Sequence, residues 1–188
     1  NNTAIGLAAL RNNDAADNSA LGYYALNAQT TGTGNTGIGK DSLKLSTTGY
    51  DNTAVGVGSL DALTTGGRNV AIGKNAGGAM TTATYNTAVG TFALQTTVTG
   101  SCNSGFGYHA LATTTGDDNT ALGYQALYLD SSGSNNVAVG AYALDANTTG
   151  TDNNALGFNA LTACTTGIRN TAIGRGAAQA VTTGEINT

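Results

Sequence analysis

The sequence predicts an all-β protein, a parallel β-solenoid or β-roll of eleven coils of about 17 residues each. Three observations predict it. A single motif recurs along the whole chain. Within the motif small and large residues alternate with the spacing of a strand. Between copies stands turn chemistry, most often Thr-Thr-Gly.

The motif is Asn, any residue, a small residue, a large apolar residue, Gly. Its Asn falls at Asn2, Asn18, Asn35, Asn52, Asn69, Asn86, Asn103, Asn119, Asn136, Asn153 and Asn170, in steps of 16 or 17, and Asn187 opens a further copy. With Asn as position 0, position 2 is Ala or Gly and position 4 is always Gly. Position 3 is large and apolar from Ile5 to Ile173. Position 7 is Ala or Ser, and position 8 is Leu except at Gly77 and Ala178. A unit this short cannot hold a helix pair, since helical repeats run about 33 residues or more. Gly and β-branched residues argue against helix as well. Each repeat is therefore expected to make one coil of two short strands and two turns, stacked in parallel on its neighbour.

Stacking gives every column a physical meaning. Like residues lie above one another at about 4.8 Å, so eleven coils make a rod on the order of 50 Å long. The Asn column should form a ladder, amide to amide and amide to turn backbone. Gly at position 4 should permit a sharp bend or a close backbone approach. Strand parity puts positions 0, 2 and 4 on one face and 1, 3 and 5 on the other. It does not say which face is inside. If position 3 points out, it makes an apolar stripe along the rod, the mark of a protein interface. Association of rods is expected, as a parallel homotrimer. Residues 1–188 read as one repeat array, a piece of a longer fibre.

Composition removes several classes. Only 10% of residues are charged, the net charge is −4, and Pro and Trp are absent. No apolar run approaches the ~18 residues of a membrane span, so no membrane insertion by this segment is expected. The seven basic residues stand apart, which disfavours nucleic acid.

The strings Asn-Thr-Ala-Val-Gly (86–90), Asn-Thr-Ala-Ile-Gly (2–6 and 170–174) and Asn-Val-Ala-Val-Gly (136–140) resemble the head repeats of YadA-like trimeric autotransporter adhesins. The longer phrase Asn-Thr-Ala-Leu-Gly-Tyr-Gln-Ala-Leu (119–127) is similar to repeat arrays of phage tail fibres. The resemblance covers all eleven repeats. It implies a left-handed coil, a homotrimer, and an extracellular place on a cell surface or virion. The period here is longer than in the adhesin heads, and Thr-Thr-Gly is more frequent.

Chemistry is sparse. His109 is the only His and reads as a plain surface residue, so no catalytic residue is assigned and the chain is expected not to be an enzyme. No metal-ligand spacing occurs and no cofactor is expected. Asp51, Asp117, Asp118 and Asp152 cluster in the turn before the Asn, where they suit a calcium ion or simply solvated carboxylates. Cys102 and Cys164 lie four coils apart, roughly 19 Å at the stacking distance, too far for a disulfide within the chain. Asn1 and Asn147 match the glycosylation pattern. Tyr23, Tyr24, Phe92, Tyr108, Tyr124, Tyr142 and Phe158 occupy the variable positions 5 and 6, where a repeat scaffold carries a binding face. They either meet a host-surface glycan or protein, or stack on one another.

The expected function is structural: a rigid, multivalent segment of an attachment fibre, from a bacterial adhesin or a phage tail fibre. The alternative is a matrix filament built by end-to-end stacking of solenoids. A third reading is an ice-binding solenoid with its Thr column facing water.

Overall fold

The structure, a computed structural model, describes residues 1–187. Eleven strands of three residues, from β1 (Thr3–Ile5) to β11 (Thr171–Ile173), follow one another at one per repeat. They form a single parallel sheet in chain order. Register is set by the period: Thr53 lies beside Val70, Ala54 beside Ala71 and Val55 beside Ile72. The repeat therefore builds an all-β parallel solenoid.

Among the described residues the expected second strand does not form. Apart from two isolated bridges, Tyr50 to Gly67 and Ile168 to Glu185, the far side of each coil is a stack of turns. Its backbone still bonds from coil to coil. Leu26 N donates to Ser42 O at 3.0 Å, and Thr30 N to Thr47 O at 2.9 Å. Strand geometry fails there because three positions per coil, besides the Gly of position 4, take left-handed backbone, most of them without a glycine. In the repeat at Asn119 these are Gln125 at φ 53°, Leu127 at 51° and Asn135 at 59°. Such a residue costs about 1–2 kcal/mol, and each turns the chain through a corner that β geometry cannot make.

Gly at position 4 has two reasons. Its φ lies near 125–147° from Gly6 to Gly174. A Cβ on Gly123 would also stand 2.6 Å from the Gly140 carbonyl carbon of the next coil. The sheet thus ends on a corner that only Gly can make, with backbone against backbone.

That corner settles which face is inside. Positions 0 and 2 point in, and position 3 points out. From Ala20 to Ala172 every Ala at position 2 is buried, while Ile38, Ile72, Leu122 and Leu156 are exposed. The interior is narrow. A Cβ on Gly37 would already meet the Leu26 Cγ at 3.2 Å, so position 2 stays small. The core is the Leu column of position 8, the Ala or Ser of position 7, the Ala of position 2, the Asn ladder and position 11.

The two exceptions to the Leu column are matched in volume. Gly77 replaces Leu where Met80 at position 11 packs alongside, and a Cβ on Gly77 would lie 3.2 Å from the Met80 sulfur. Leu63 occupies the same column one coil earlier. Ala178 is likewise followed by Val181, which packs against the core. Core volume is kept while its source moves from position 8 to position 11.

Candidate functional site: the outer faces of the rod

The Asn column lies inside from Asn18 to Asn170. Asn52 shows its chemistry. Its Nδ2 donates across the coil to Gly66 O at 3.0 Å and to the Asn35 Oδ1 of the previous coil at 3.0 Å. Its own Oδ1 accepts from Asn69 N and Asn69 Nδ2, both at 3.0 Å. Each amide thus ties the strand side to the turn side and one coil to the next. Asn2 is exposed in the first coil, where its Nδ2 reaches Ala15 O at 2.6 Å.

Outside, two surfaces run the length of the rod. One is the outer face of the sheet, with the apolar row of position 3 beside a row at position 1 that is mostly Thr, Ser or Val. Near β1 this face holds an almost wholly apolar groove lined by Thr3, Ile5, Ser19, Ala20, Leu21 and Ile38. Every exposed side chain in the two rows is neutral, from Thr3 and Ile5 to Thr171 and Ile173.

The other surface lies beyond the Gly corner, at positions 5, 6 and 9. Its lower coils carry Lys40 and Lys44 paired with Asp41 at 3.6 and 3.3 Å. Its upper coils carry an aromatic ladder. Tyr108 stacks on Tyr124 with centroids 5.5 Å apart, Tyr124 meets Tyr142 at 5.3 Å, and Tyr142 meets Phe158 at 6.1 Å. Lower down Tyr23 meets Tyr24 edge-on at 4.4 Å. Packing and exposure coexist. Tyr23, Tyr108, Tyr124 and Phe158, all at position 5, stay exposed, while Tyr24, Phe92 and Tyr142 at position 6 are half-buried.

His109 is not a plain surface residue. It is half-buried, with the rings of Phe92, Tyr108 and Tyr128 at 5.0, 4.3 and 5.4 Å. Burial lowers its pKa, which favours the neutral imidazole. Spacing had no way to bring Tyr128 to His109, because position 9 lies across a turn.

The remaining candidates are dispersed. Asp51 faces Arg68 at 3.9 Å, and Asp117 accepts from Ser101 N at 2.7 Å. Asp118 and Asp152 stand at the same left-handed corner two coils apart. Among the described residues no three His, Cys, Asp or Glu come together to hold a metal ion. Cys102 is exposed and Cys164 buried, both as free thiols. Asn147 is buried, which closes its glycosylation pattern in the folded chain. The two Thr columns differ. The first is tied to the next coil, as in Thr64 Oγ1 to Thr81 O at 3.0 Å, and the second, Thr48 and Thr65 among them, faces out.

Sequence reasoning missed one buried acid. Asp130, at position 11, is fully buried and accepts from Thr114 Oγ1 at 2.7 Å, Asn147 Nδ2 at 2.8 Å and Gly133 N at 3.1 Å. Burial pushes its carboxyl up to about 6. The only signal was that 11 residues separate it from Asn119, the offset that places Leu63 and Met80 inside.

Against known proteins, no family model, curated protein or solved structure matches this chain. Among the described residues no helix is long and apolar enough to cross a membrane.

Proposed function

We propose that this chain is a non-catalytic, load-carrying segment of an extracellular attachment fibre, on a bacterial surface or a virion. Its solenoids lie side by side as a parallel homotrimer, with the left-handed coil of the repeat families it resembles. The observation that carries this reading is the apolar stripe on the outer face of the sheet. Ile72 is 41% and Leu122 50% exposed, inside an uninterrupted neutral band that follows every strand. Scattered apolar residues are ordinary on a surface, but a contiguous band is an interface. A second copy running in the same direction presents the same rows at the same 4.8 Å step, so each apolar row meets its equivalent at every coil. Three copies closed about an axis leave no stripe open, and they leave the aromatic side facing outward.

The test is the absolute mass of the purified chain by light scattering on a sizing column, with negative-stain imaging of the same peak. A discrete trimer that falls to a monomer on Ile72→Lys is expected. A monomer in the unaltered chain sinks the proposal. An open-ended mass distribution with visible filaments would replace it by end-to-end stacking.

A further inference from the structure

We propose that the cleft between the ninth and tenth coils, on the aromatic side, binds a neutral saccharide ring. The cleft is about 230 Å³ and is lined by Tyr142, Asp145, Phe158, Asn159 and Thr162. Thr162 Oγ1 donates to Asp145 Oδ1 at 2.6 Å. That bond orients the carboxylate and leaves its second oxygen with acceptor capacity. Asn159 adds an amide, with donors and an acceptor, to the same lining. Phe158 is 44% exposed and stands perpendicular to Tyr142, with an interplanar angle of 89°.

These are the parts a pyranose requires. Neighbouring hydroxyls donate to a carboxylate and trade bonds with an amide. The ring's C–H face is apolar and lies on an aromatic side chain, which offers area at little entropic cost. The rings of Tyr124 and Tyr108 continue the ladder away from the cleft at 5.3 and 5.5 Å, so further sugar units of a chain have a track to follow. Charge selects the class of sugar. Asp145 in the wall repels an anionic ligand, and Arg175, 5.6 Å over the Phe158 ring, repels a cationic one.

The fold supplies its own control. Asp61 and Asn75 line a second cleft with Gln95 and Thr96. They stand at the same repeat positions as Asp145 and Asn159, an Asp followed by an Asn in the next coil. No aromatic ring lines that cleft. The polar pair is there without the platform.

The inference rests on the attachment reading and names its ligand, but it does not require the trimer. The experiment is an array of immobilised neutral and sialylated oligosaccharides probed with the full 188-residue chain. Calorimetry then follows with the best neutral hexasaccharide. Binding of a neutral glycan is expected, weakened about tenfold or more by Asp145→Asn and by Phe158→Ala and unchanged by Asp61→Asn. Light scattering and thermal melts of the same samples keep the failures apart. A trimer that binds no neutral glycan overturns this inference and leaves the fibre standing. A monomer that binds one overturns the assembly and leaves the cleft. Two further results overturn it: binding indifferent to both Asp145→Asn and Phe158→Ala, and binding of sialylated glycans alone that is lost on Arg175→Ala.

Discussion

Two columns of side chains run through the interior of the same rod, equally buried and chemically opposite. Position 0 is Asn in every coil. Position 11 holds Gln29, Ser46, Leu63, Met80, Thr97, Thr114, Asp130, Asn147 and Cys164 in turn. In the first column each buried amide donates to the carbonyl opposite and accepts from the Asn N–H of the next coil, and in six coils from Asn35 to Asn170 it donates to the Asn of the coil before as well. In the second, Gln29 Oε1, Ser46 Oγ, Thr97 Oγ1 and Asn147 Oδ1 are buried without a hydrogen-bond partner. Burial alone therefore does not dictate identity here. What dictates it is whether neighbouring backbone groups depend on the side chain. The Gly66 carbonyl and the Asn69 N–H depend on Asn52. At position 11 the backbone asks for less: Gly116 N and Gly133 N lean on Thr114 and Asp130, but Leu63 and Met80 fill the same place in their coils with volume alone.

The largest test of this difference is Asn52→Ala. It orphans the Gly66 carbonyl and the Asn69 N–H in the interior, each worth about 1–3 kcal/mol. A loss of about 3–5 kcal/mol is expected, read as a lowered melting temperature and faster hydrogen exchange in the adjoining coils. A loss under about 1 kcal/mol would mean that water or backbone shifts replace the ladder, and the contrast between the columns would go.

Asp130 comes next. Its folded pKa of about 6 lies above its ordinary value of 3.8, because burial disfavours the charged form. Between those values the folded chain holds a proton that the unfolded chain has released. The contribution is fully present below about pH 4 and is lost as pH rises through about 6, amounting to about 3 kcal/mol. Melting temperature should therefore rise as pH falls from 7 to 4.5. Asp130→Asn, which keeps an acceptor for Gly133 N and Asn147 Nδ2, should flatten that slope and stabilise the chain at pH 7. An unchanged slope in the variant would remove Asp130 as its source.

The smallest effect is Thr97→Val. The hydroxyl has no partner, so replacing it by a methyl group should be neutral or stabilising by about 1 kcal/mol. A clear destabilisation in thermal melts would reveal a hydrogen bond made by the Thr97 hydroxyl and narrow the gap between the columns.

Much of this was legible in the residues. A motif returning every 16 or 17 residues means like over like in a stack, and a ladder of identical amides is readable because its chemistry runs along the axis, from Asn18 to Asn35 to Asn52. The short repeats at Asn2 and Asn103 were legible as deletions. Their place at position 13 was not: it shows in the pairing of Asp14 N with Thr30 O at 3.0 Å and of Thr115 N with Ser131 O at 2.8 Å. The second strand expected in each coil was wrong, because nothing in Gln125 or Leu127 announces a left-handed backbone. The aromatic positions are legible as variable in the sequence, yet their division into exposed rings at position 5 and half-buried rings at position 6 depends on that same backbone.

By itself the sequence determined the period, the stack, the register and the Asn ladder, since each follows from equal residues meeting at equal intervals. Only the tertiary structure decided which face of the strand looks inward. Alternation is symmetric: small-in with large-out and its inverse have the same parity. The choice falls to the Gly corner and the left-handed turns, which close each coil so tightly that Ala fits beside Leu at the centre and Ile or Val must stand outside. The apolar stripe and the aromatic face both follow from that closure.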